Sequence, residues 1–117
     1  MKNIRVSLEK RDVRLLGGLL ADMQANLLSS TPRDFTEEFS IKYHREMFED
    51  EIEKIKARLM TSENKASKAK MNISISKSCL WSVFFIMESG WKEHYDTPNR
   101  IMIGEVLSKI MAAYRRK

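Results

Sequence analysis

Cysteine is almost absent from this 117-residue chain: Cys79 stands alone. No intramolecular disulfide can form, so a disulfide scaffold is excluded. Proline occurs twice and glycine four times, too few for a turn-rich sandwich or a low-complexity segment. Long hydrophobic runs are missing too. The most apolar stretch, Cys79 to Met87, is broken by Ser82 and closed by Glu88. A membrane span needs roughly 20 such residues. The first ten residues mix charged and apolar side chains, unlike the unbroken core of a signal peptide. A soluble, cytoplasmic chain is the expectation.

What the chain does hold suits one folded domain. It is 43% hydrophobic and 32% charged, apolar enough for a core and too short for a two-domain enzyme. Apolar residues recur at three- and four-residue steps in four segments, the signature of amphipathic helices. In the first, Leu8, Leu15, Leu16, Leu19, Leu20 and Met23 share one arc, with Ser7 placed to cap it. Gly17 lies at the edge of that arc, where a neighbouring helix could come close. In the second, Ile41, Phe48, Ile52, Ile55 and Leu59 form a narrow stripe among charged faces. The third is apolar around nearly its whole circumference from Cys79 to Met87, which predicts a buried helix. The fourth opens with Thr97-Pro98 and carries Ile103, Val106, Leu107, Ile110, Met111 and Tyr114 on one face.

The spacing therefore predicts an all-α fold, a compact, bundle-like single domain of four helices with a central apolar third helix. The helices are expected near 8–29, 36–62, 75–89 and 98–115, with a polar connector at 61–72. Ile73-Ser74-Ile75 alternates as a strand would, but no pairing partner is evident. No internal repeat of 20–50 residues is visible.

No catalytic or metal constellation emerges. His44 and His94 lack ligand-type residues at helical spacing, and His44-Arg45-Glu46 lacks the cysteine pair that zinc deaminases require. Phosphate-loop, dinucleotide-loop and nucleophile-elbow motifs are all absent. Cys79 near a helix start could be activated, but its apolar setting points to a small core residue. The expectation is a protein that is not an enzyme, with no cofactor and no metal.

Charge is uneven. The formal net charge is +5, yet residues 36–63 are acidic on balance while 64–79 and 100–117 are basic. Two functional classes follow. One is a non-catalytic protein–protein interaction, adaptor or regulatory module, with a protein partner or a second copy of itself in a homodimer, and Trp81, Phe85 and Ile86 as the interface. The alternative is weak binding to the phosphate backbone of nucleic acid through Lys65, Lys68, Lys70, Lys109, Arg115, Arg116 and Lys117. No helix displays the polar side chains that read base edges. A membrane partner is not expected.

Overall fold

The computed structural model describes residues 3–29, 31–61, 69–88 and 95–115. Strand β1 (Asn3–Glu9) runs straight into helix α1 (Lys10–Ser29), and α2 (Phe35–Thr61) follows. Strand β2 (Lys70–Ser76) then runs straight into α3 (Lys77–Glu88), and α4 (Thr97–Arg115) completes the order. The all-α expectation is corrected by the two strands, which form an antiparallel sheet with Val6 opposite Ile73. The pairing partner of Ile73 and Ile75, not evident from the sequence, is the segment around Val6.

Alternation explains the sheet. Ile4, Val6 and Leu8 of β1 and Met71, Ile73 and Ile75 of β2 are all buried. Directly opposed residues of antiparallel strands share a face. All six therefore project inward, while Arg5, Ser7, Asn72 and Ser74 stand on the outer face. Leu8 thus belongs to the strand, and Ser7 is no helix cap. Helix α1 begins two residues later than its apolar period suggests.

The hydrogen-bond alternation of the ladder positions α2. The Lys10 N–H donates to the Ala69 C=O at 2.8 Å, which continues the ladder one pair beyond Glu9 and Lys70. The bonded pairs are therefore those of the inward residues, and Asn72, Ser74 and Ser76 turn their backbone groups to the free edge of β2. Two side chains of α2 meet that edge. Glu51 Oε1 accepts from the Ser76 N–H at 3.2 Å, and Arg58 Nε donates to the Asn72 C=O at 3.2 Å. An edge strand that would otherwise offer itself to another chain is partly closed.

The order strand–helix–helix occurs twice. Both β1 to β2 and α1 to α3 are offset by the same 67 residues, from Asn3 to Lys70 and from Lys10 to Lys77. At that offset Val13, Leu16 and Leu20 correspond to Leu80, Val83 and Met87, all buried. Val6 corresponds to Ile73, and these two also pair, so a local two-fold axis passes between them. The second helix of each half lies on the strand of the other: α2 packs on β2, and α4 on β1. One contact breaks the symmetry. Helix α1 packs extensively on α2, whereas no packing of comparable extent joins α3 to α4 among the described residues.

Local signals fix the helix starts. Asp34 Oδ1 accepts from the Glu37 N–H at 2.8 Å, Asp96 Oδ1 from Asn99 at 3.0 Å, and Ser76 Oγ from Cys79 at 3.1 Å. Each is a side-chain cap three residues before its donor. The cap of α4 is therefore Asp96, one residue earlier than the Thr97 expected from sequence. Gly17 lets α1 and α2 approach: a Cβ there would stand 3.3 Å from Ile55 Cγ2, tighter than an ordinary contact.

The central position expected for the third helix is also corrected. Helix α3 packs on α2 and β2 and buries only Cys79, Leu80, Val83 and Met87. Phe84 and Ile86 are half-buried against the core. The helix is apolar nearly all round, but only one face is covered.

Candidate functional site

Helix α3 leaves its outward face uncovered. Trp81 is 61% exposed and Phe85, one turn later, 76%. Ile86, the third residue expected at an interface, is half-buried beside them in sequence and packs on the core. From Ser78 to Met87 the helix carries no charge. The fold itself does not need aromatic residues there. The positions of α1 that correspond to Trp81 and Phe85 are Arg14 and Gly18, both exposed.

A second apolar stripe escaped the sequence reading. Phe35, Phe39 and Tyr43 lie four residues apart on α2 and are exposed, in the part of the helix that precedes its first fully buried residue, Phe48. The four-residue spacing was its signal, but the stripe sits off the line of Ile41, Phe48 and Ile52. Helix α4 adds the exposed neighbours Ile101 and Met102.

Of the basic residues expected at a polyanion surface, Lys70, Lys109 and Arg115 are described. Lys109 Nζ lies 2.8 Å from Asp12 Oδ2. That bond, more than the charge of nearby carboxylates, raises the lysine pKa above its ordinary value. Lys70 stands opposite Glu9 in the ladder, and Arg115 is exposed in the last turn of α4. Lys65, Lys68, Arg116 and Lys117 lie outside the described residues, as do most of the polar connector and His94. His44 Nδ1 is 2.7 Å from the Ser40 carbonyl, a bond within its own helix. No group of three or more potential metal ligands occurs among the described residues. No described helix is long and apolar enough to cross a membrane.

The junction of β2 and α3 holds the most unusual electrostatics. Glu51 is buried, and its Oε1 accepts from Ser76 and from Lys54 Nζ at 3.3 Å, while Oε2 has no hydrogen-bond partner. Cys79 is fully buried nearby. Burial first, and then the charge of Glu51, push its thiol up to about 12, with Lys54 opposing. A thiol held this firmly protonated is a core residue, not a nucleophile.

The native chain should therefore resist iodoacetamide at pH 8 and be labelled fully in denaturant, as mass spectrometry would read. The pH dependence has a definite sign. An unfolded cysteine ionises near 9 while the folded one stays protonated, so stability is lost as pH rises from 9 towards 12. Between pH 9 and 10 the loss should be about 1 kcal/mol. Cys79→Ala should remove that dependence.

No family model matches this chain, and comparison with curated proteins and with solved structures likewise finds no match.

Proposed function

We propose that this chain is a non-catalytic, cytoplasmic interaction module that self-associates through the outward face of α3. The observation that carries the reading is the exposure of Trp81 and Phe85 on a helix whose other face is rooted in the core. Tryptophan anchors on rigid elements dominate interface energetics. The face is uncharged between Ser78 and Met87, so two copies can approach about a two-fold axis without bringing like charges together. The single thiol, buried and unpaired, suits a reducing compartment.

Area sets the strength. Two aromatic side chains so exposed offer roughly 300 Å² per copy, so the four in a dimer supply about half of a small specific interface. Association should accordingly be reversible and concentration-dependent.

Sedimentation equilibrium over two decades of protein concentration tests this. The native chain should pass from monomer to dimer, and the double variant Trp81→Ser, Phe85→Ser should stay monomeric with unchanged far-ultraviolet circular dichroism. Phe39→Ser should dimerise as the native chain does. A native chain that stays monomeric throughout would sink the proposal, and so would loss of the dimer in Phe39→Ser alone.

A further inference from the structure

The outer face of the sheet and the flank of α2 enclose a trough of about 740 Å³. Its size is that of a small-molecule site. Its floor is the middle of both strands, so it lies on the local two-fold axis between Val6 and Ile73. Arg5 reaches it from β1, and Lys54 and Arg58 reach it from α2. Among the described residues, no aspartate or glutamate lines it.

Three cations thus share one cavity without a carboxylate among its described walls. Lys54 is held from beneath by the buried carboxylate of Glu51. Arg58 is oriented by its bond to the Asn72 carbonyl, which leaves the remaining guanidinium donors unused by that contact. Arg5 makes no hydrogen bond or ion pair with any described residue. Ser7, Asn72 and Ser74 add neutral polar side chains. The Ser74 backbone N–H, turned to the free edge between Glu51 and Arg58, adds another donor. Convergent donors and cations of this kind recognise phosphate oxygens.

The remaining walls are Ala57 of α2 and the strand backbone at Val6 and Ile73, whose side chains turn inward. A free inorganic anion would leave them wetted. Among the described residues no aromatic side chain lines the trough, so they supply no stacking platform of the kind a single-stranded nucleic-acid site uses. We propose that the trough binds a small organic phosphate, its phosphate on Arg5, Lys54 and Arg58 and its organic body against Ala57 and the strand backbone at Val6 and Ile73. The site uses no residue of α3, so it stands or falls independently of self-association.

Isothermal titration calorimetry of the full chain with phenyl phosphate, inorganic phosphate, phenol and a short oligothymidylate provides the test. Phenyl phosphate should bind saturably and more tightly than inorganic phosphate, and phenol should give no binding. Arg5→Gln and Arg58→Gln should each weaken phenyl phosphate about tenfold or more, since each removes a charge-assisted bond. Ala57→Phe, which fills the trough from an exposed helix position and leaves every charge in place, should abolish binding.

Arg5 is exposed and bonds to no described residue, so its variant should fold even if the Arg58 variant does not. Absence of saturable phenyl phosphate binding would overturn the proposal, as would affinity unchanged in both the Arg5 and Ala57 variants. Binding of the oligothymidylate without phenyl phosphate would also overturn it, in favour of a polynucleotide backbone.

Discussion

Replacing Phe48 with alanine should lower the free energy of unfolding by about 3–5 kcal/mol. Phe48 is fully buried on α2, at the point where that helix first enters the core. The loss combines the transfer of a ring to water with the cavity left behind, because the surroundings relax only partly. Small domains are stable by about 5–15 kcal/mol in total, so this one change would bring the chain close to unfolding. Phe39→Ala on the same helix is the matched control. Phe39 is 68% exposed, and its removal should shift stability by no more than about 0.5 kcal/mol. Urea denaturation would read both as displaced midpoints with unchanged slope. Equal effects at the two positions would mean that α2 is wrongly oriented.

The second large effect tests the sheet. Ile75→Ala should cost about 2–4 kcal/mol, and Ser74→Ala, one residue away, less than about 0.5 kcal/mol. Ile75 is inward and buried, while Ser74 stands on the outer face. A helix beginning at residue 75 would leave Ile75 in a frayed first turn, and its truncation would then cost little. A contrast between neighbours of this size belongs to a strand with one covered face.

The helices were legible because their signals are local. Phe48, Ile52 and Ile55 recur within one segment, as do Ile103, Val106, Leu107 and Ile110, and all are buried. The caps were less legible: Asp34 and Asp96 hold them, the latter one residue before the Thr97 expected. The strands were not legible, for two reasons. Each is seven residues long, and every pairing joins positions more than 60 residues apart with no hairpin turn between them. Leu8 also lies seven residues before Leu15, so it fell into step with the helical period of α1 and masked the alternation of Ile4, Val6 and Leu8.

The outward face of α3 was half legible. An apolar circumference announces either a buried helix or an interface, and composition alone does not decide between them. What decides is how much of the circumference the neighbours cover, which is a property of packing. The trough was less legible still. Arg5, Lys54 and Arg58 come from segments that meet only in the folded chain, and the four-residue spacing of Lys54 and Arg58 resembles any solvated helix face.

The break in the two-fold arrangement sets an order in time. The first half owns a helical hairpin, α1 on α2, whose contacts span a short loop and can form early. The second half owns no such nucleus of its own among the described residues, and its strand and helices find their places on the first. During synthesis β1 is made first, yet it waits until Ser76 exists before its ladder can close. The hairpin can thus be in place before β2 arrives, and α4, made last, completes the cover of β1.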